Sequence, residues 1–87
     1  MKSMIEYLVK ELVDDPETVV VTSTEDEFEI RIKVEVDKRY LGQVIGKQGR
    51  IANAMRVILV ACGRKAGERR VLKLDITEAS PAADQQD

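Results

Sequence analysis

The chain has 87 residues, 44% of them hydrophobic and 34% charged, with one Cys, no His and no Trp. That length holds one domain, and neither usual staple of a small fold is on offer: a lone Cys cannot close a disulfide, and without His the common zinc ligand sets cannot be assembled. The same absence excludes Ser–His and Cys–His nucleophile pairs and the usual general base near neutral pH.

Ser3 followed by Glu6 predicts a capping box, and Ile5, Leu8, Val9, Leu12 and Val13 fall on one helical face. Asp14-Asp15-Pro16 ends that helix, because the residue before proline is pushed out of the helical region. Val19-Val20-Val21-Thr22 predicts a strand, and Thr24-Glu25-Asp26-Glu27 a polar connection. Phe28, Ile30, Ile32, Val34 and Val36 then alternate with Glu29, Arg31, Lys33 and Glu35, as in a strand with one buried and one wet face.

Asp37 can cap a short helix carrying Tyr40, Leu41, Val44 and Ile45, which stops at Gly46-Lys47-Gln48-Gly49. A longer helix follows from Arg50, with Ile51, Ala54, Met55, Ile58, Leu59 and Cys62 expected on its core side and Cys62 read as a buried small hydrophobe. It ends at Gly63 or, better placed, at Gly67. Val57 and Val60 lie off the core stripe, so the helix is apolar on more than one side and a partner is expected to cover it. Val71 to Ile76 is the last strand, and residues 78–87 read as a disordered acidic tail behind a domain of residues 1–77.

The order α-β-β-α-α-β predicts an α+β fold: an antiparallel hairpin, a right-handed crossover to a parallel third strand, and three helices on one face of a three-stranded mixed sheet. No apolar run reaches signal-peptide or membrane-span length, so a reducing cytoplasmic setting is expected.

Charge is segregated. Residues 1–37 hold 4 basic and 11 acidic side chains, residues 38–73 hold 10 basic and 1 acidic, and residues 74–87 hold 4 acidic and none basic. A net charge of −2 thus conceals a strongly positive middle, and local potential is what captures a polyanion. Within that middle, Gly46-Lys47-Gln48-Gly49 joins two helices. Its glycines permit a sharp turn and close approach by a ligand, the N–H groups opening the next helix form an anion site, and Lys47 and Arg50 bracket it. The forecast is a phosphate held on backbone amides, with a nucleic-acid strand running between the two helices and the edge of the second strand. The spacing does not fit a P-loop: too few residues intervene, and the Ser/Thr that would hold magnesium is absent.

Leu41-Gly42-Gln43-Val44-Ile45-Gly46-Lys47-Gln48-Gly49-Arg50-Ile51 resembles the signature of KH domains, which clamp about four nucleotides beside a G-x-x-G loop. The element order is similar to the prokaryotic type II arrangement, over residues 1–77, and most of all to the small single-KH RNA-binding proteins of bacteria, the KhpA/YlqC type. The resemblance implies non-catalytic binding of single-stranded RNA, as an RNA chaperone or post-transcriptional regulator, with no cofactor or metal. It also implies a homodimer or a heterodimer with another KH-containing protein. Gly46, Lys47, Gln48 and Gly49 would contact the RNA backbone, with Arg50 beside them, and Leu41, Val44, Ile45 and Ile51 would shape the apolar floor under the bases. Ile45 and Val44 read equally as core, Arg56 and Arg64 as RNA contacts or surface, and Arg69, Arg70 and Lys73 as more positive surface or solubilising strand ends. The competing function is a protein–protein module on the same fold. Asp14, Asp15 and Glu17, or Glu25, Asp26 and Glu27, offer carboxylates with no nucleophile beside them, so catalysis is not expected.

Overall fold

The computed structural model describes residues 1–79. Helix α1 (Lys2–Lys10) leads through a 3₁₀ turn (Pro16–Thr18) to β1 (Val20–Glu25) and β2 (Glu29–Val36); α2 (Lys38–Ile45), a second 3₁₀ turn (Lys47–Gly49) and α3 (Arg50–Lys65) follow, and β3 (Val71–Glu78) closes the order. β2 is central, antiparallel to β1 and parallel to β3, so the expected three-stranded mixed sheet and α+β class hold. Ile30, Ile32, Val34 and Val36 share their face with Leu72 and Leu74, and Ile5, Val9, Tyr40, Val44, Met55 and Leu59 bring all three helices into that one core. The opposite face is polar, where Arg31 pairs with Glu29 and with Asp75.

Local details differ from the sequence expectations. Ser3 lies inside α1, whose N-cap is Met1 with no side-chain cap bond, so the capping box does not form and Glu6 pairs with Lys10 instead. The helix stops at Lys10 although the apolar spacing continues: Asp14 and Asp15 suit a helix C-terminus poorly, and Pro16 fixes Asp15 at φ −113° and ψ 76°. Val13 reaches the core from the following turn instead.

β1 runs on through Thr24 and Glu25, which pair with Arg31 and Ile30, so the polar connection shortens to a tight hairpin. Asp26 makes it: its Oδ1 accepts from the N–H of Phe28 at 2.8 Å and of Glu29 at 2.9 Å, an Asx-type turn. Phe28, expected as the first inward residue of the second strand, is 74% exposed, because it sits at the hairpin corner beyond the helices' cover. Arg70 clips this corner to the start of β3, bonding Glu25 at 2.6 Å, the Asp26 carbonyl at 3.1 Å and Glu68 at 2.8 Å. It is therefore neutralised and adds no positive surface.

α3 is rotated from the expected phase. Its buried residues are Ala52, Met55, Leu59 and Gly63, whereas Ala54, Ile58 and Cys62 are exposed. Met55 and Leu59 supply the bulk of the buried side, and at the end of the helix a Cβ on Gly63 would run into Leu72 Cδ1, so there α3 lies close on the sheet because its residue has no side chain. Gly67, at φ +90°, supplies the left-handed residue beyond the helix end. β3 extends to Glu78, and the Ala79 N–H donates to the Val36 carbonyl at 2.6 Å. The remainder of the expected acidic tail, residues 80–87, lies outside the described residues. No helix among the described residues is long and apolar enough to cross a membrane.

Candidate nucleic-acid interface

The junction of α2 and α3 is built from local rules. Asp37 caps α2 by accepting from the Arg39 N–H at 2.8 Å, and the contact, with the Arg39 guanidinium next in effect, holds its carboxyl below the ordinary range. Tyr40 donates its hydroxyl to Asp15 at 2.9 Å, tying the first turn of α2 to the segment before β1. The orientation of α2, and hence the place where it ends, is fixed from both sides.

It ends on Gly46, at φ 82° and ψ 168°, a region essentially reserved for glycine. A Cβ there would lie 2.6 Å from Ile51 Cγ1 and 2.9 Å from the Ile51 backbone nitrogen, so the turn folds directly onto the first residues of α3. Gln48 (φ 58°) and Gly49 (φ 74°) are also left-handed. Three left-handed residues in four reverse the chain within one 3₁₀ turn, closed by the Gly49 N–H on the Gly46 carbonyl at 3.0 Å. The N–H groups at the start of α3 and the positive end of its dipole then face outward beside the turn.

Lys47, Gln48 and Arg50 are exposed around that end, and Arg50 Nη2 donates to Gln48 Oε1 at 3.2 Å. Neither Lys47 nor Arg50 has a carboxylate partner among the described residues. By contrast Arg39 is held by Asp15 and Asp37 and Arg31 by Glu29 and Asp75. The acidic flanks thus absorb cations elsewhere and leave those at the turn unpaired.

Of the expected floor residues, Leu41, Ile45 and Ile51 are half-buried and line the junction, whereas Val44 is 0% exposed. Val44 supports the floor from beneath and presents nothing to a ligand. The strand edge beside the junction also differs from expectation. β2 is central, with both edges paired, so the outer edge bordering α3 belongs to β3. Arg56 marks it, its Nε donating to the Leu74 carbonyl at 3.3 Å. Arg64 bonds the carbonyls of Glu68 and Arg70 and so closes the loop after α3. The apolar side that Val57 and Val60 were expected to give α3 is a groove on the outside of the helix, lined by Asn53, Arg56, Val57, Val60 and Ala61. Its signal was the recurrence of residues 53, 57 and 61 at helical spacing.

A family model described as the KhpA/KhpB KH domain matches residues 2–76. An RNA-binding protein KhpA of Aquifex aeolicus is 51% identical over 74 residues, covering 85% of this chain and 94% of its own length. A protein of the same description from Listeria monocytogenes is 44% identical over 78 residues, covering 90% of this chain and all of its own. Among solved structures, Era, crystallised with MgGDPNP and nucleotides 1506–1542 of 16S ribosomal RNA, superposes with a TM-score of 0.67 at 16% identity. The match covers 97% of this chain and 32% of that one, and at that identity it speaks for the fold alone.

Proposed function

We propose that this chain, which belongs to the KhpA/KhpB family of KH domains, binds single-stranded RNA without catalysis, gripping the backbone at the Gly46–Gly49 turn. One observation carries the reading: three left-handed residues present the start of α3 between two exposed cations that no described carboxylate neutralises. Backbone amides, dipole and full charges converge there on one anion-sized position. The half-buried Leu41, Ile45 and Ile51 give the bases an apolar floor. No aromatic side chain stands beside the turn, so affinity rests on phosphates and apolar contact and is modest and salt-sensitive. The names of the relatives, RNA-binding protein KhpA, support the same reading.

Work as an RNA chaperone or post-transcriptional regulator in the cytoplasm belongs to this proposal, as does pairing with a second copy or another KH-domain protein. Val57 and Val60 are exposed, as are Ala54, Ile58 and Cys62 beside them, and this outward side of α3 is the surface that such a protein partner would cover.

The test is fluorescence anisotropy with short unstructured RNAs, comparing the wild type with a Lys47→Asp/Gln48→Asp double variant whose fold is checked by circular dichroism. The expected result is binding by the wild type and at least a tenfold loss in the variant. Lys47→Gln and Arg50→Gln should each lower the log–log salt slope by about 1. Equal binding by wild type and double variant removes the turn from the mechanism, and absence of binding by both hands the fold over to the protein-assembly reading.

A further inference from the structure

We infer that the chain's own acidic segment past the last strand, through Asp84 and Asp87, docks on the cations of the Gly46–Gly49 turn and competes there with RNA; the inference rests on the RNA reading above. Residues 80–87 carry these two carboxylates and no cation. They also lie beyond residues 2–76, which the family model matches, so the surface belongs to the domain and its occupant to the segment that follows it.

The exit point sets the reach. The Ala79 N–H donates to the Val36 carbonyl at 2.6 Å, so the chain leaves the sheet beside the residue that precedes Asp37, the cap of α2. The turn stands at the other end of that helix, whose 8 residues measure about 12 Å at 1.5 Å per residue. Asp84 follows Ala79 by 5 residues and Asp87 by 8, spans of up to about 17 and 27 Å at roughly 3.3–3.6 Å per residue. Both carboxylates thus have chain enough to pass along α2 to Lys47 and Arg50. The hairpin corner lies the other way, at the opposite end of β2, since β3 pairs Glu78 with Val36 and Val71 with Glu29.

Charge selects the same place. Lys38 at the start of α2, and Lys47 and Arg50 past its end, are exposed, and none has a carboxylate partner among the described residues. Arg39 between them is already taken by Asp15 and Asp37. A carboxylate is satisfied by what satisfies a phosphate: free N–H groups at the start of a helix, the positive end of its dipole, and a full charge beside them. Each such contact is weak at a surface, but a tethered group faces its site at an effective concentration in the millimolar range. RNA must displace the segment before it reaches the turn, so the segment lowers affinity by one factor whatever the RNA sequence.

The experiment compares the 87-residue wild type with Asp84→Asn/Asp87→Asn. Glu11→Gln/Glu27→Gln serves as the charge-matched control, since both carboxylates are exposed and outside every ion pair of the described residues. Backbone amide resonances are recorded without RNA, and anisotropy is measured with an oligouridylate of about four nucleotides, the length a KH clamp holds. Neutralising Asp84 and Asp87 should move the amides of residues 47–51 and leave those of residues 26–29 in place. It should also raise RNA affinity about two- to fivefold, the scale of one or two exposed ion pairs, with the gain shrinking as salt rises from about 0.05 to about 0.3 M. Unmoved turn amides overturn the proposal, and so does an equal gain in the control, which would make the effect one of overall charge. Failure of all three proteins to bind RNA overturns the RNA reading and the competition with it. RNA binding of equal strength in wild type and Asp84→Asn/Asp87→Asn removes only the segment from the site.

Discussion

Replacing Gly46 and Gly49 singly by alanine separates backbone conformation from steric room. Gly46 combines φ 82° and ψ 168° with an Ile51 side chain 2.6 Å from where the Cβ would stand. The strained conformation costs about 1–3 kcal/mol and the forced overlap about another 1–3 kcal/mol. Alanine recovers roughly 0.4–1 kcal/mol by narrowing the unfolded ensemble, leaving a net loss of about 1–6 kcal/mol. A domain of 87 residues has roughly 4–13 kcal/mol in total, so Gly46→Ala forfeits a large share. Gly49 has φ 74° and ψ 15°, a simple left-handed position, and nothing lies within 4 Å of its would-be Cβ. Its loss is the left-handed term of about 1–2 kcal/mol less the same recovery of roughly 0.4–1 kcal/mol, a net of about 1 kcal/mol or less.

Urea unfolding followed by circular dichroism reads the difference. With a slope just above 1 kcal/mol per molar for so small a domain, Gly46→Ala should lower the midpoint by about 1 M or more and by more than Gly49→Ala, whose shift should be about 1 M or less. Unchanged slopes show that the unfolded states are comparable. Equal midpoints, or a Gly46→Ala shift below about 1 M, would refute the argument that the turn is pinned against Ile51. Gly49→Ala, still folded, then reports in the RNA assay what one methyl group does beside the anion position.

Core phase and the Arg70 clip give two further tests. Leu59→Ala should cost about 2–5 kcal/mol and Ile58→Ala less than about 1 kcal/mol by the same unfolding measurement, since Leu59 is 1% exposed and Ile58 42%; similar large losses for both would restore the wider core stripe read from hydrophobicity. Glu68 is held at about 2 by hydrogen bonds from the Arg70 guanidinium and then from the Arg70 N–H. Its folded value lies below its unfolded one, so its contribution is whole above the ordinary carboxylate value and fades as pH falls from there toward 2. Calorimetry of Arg70→Gln should show a shallower fall of Tm across that acid window than the wild type, and identical slopes would mean that the clip does not couple to folding.

Period and punctuation made the architecture legible. Strict alternation from Ile30 to Val36 placed the central strand and its buried face, Asp37 and Gly67 marked helix ends, and the Gly46–Gly49 pair located the turn before any geometry was known. What the sequence did not disclose has a common physical origin: it depends on how closely elements approach. The phase of α3 follows partly from Gly63 lying against Leu72 of β3, and a glycine carries no hydrophobic signal. Phe28 alternates correctly yet lies past the end of the core, because a strand pattern does not say how far the covering helices reach. The edge beside the junction belongs to β3 because β2 is paired on both sides, a property of strand order and not of any residue in β2.

The charge distribution shows why an acidic chain can carry a positive site. Carboxylates from the N-terminal half do not simply dilute the basic middle; they are matched to particular cations. Glu25 takes Arg70, Asp15 and Asp37 take Arg39, and Glu29 takes Arg31. Arg70–Glu25 and Arg39–Asp15 tie one segment to another, Arg31–Glu29 and Arg39–Asp37 lie within one element, and none of them involves Lys47 or Arg50. Of the cations in no ion pair among the described residues, Lys47, Arg50, Arg56, Arg64 and Lys65 lie at the turn and along α3, and Lys2, Lys38, Arg69 and Lys73 lie elsewhere. Association with a polyanion depends on local potential and not on the sum over the chain, so a net charge of −2 is compatible with RNA capture at one place. The same arrangement disfavours non-specific adhesion elsewhere. Reversing one matched pair that has no third charged partner, Glu6→Lys with Lys10→Glu on α1, would preserve both the net charge and the pairing, and it should leave RNA affinity where it was.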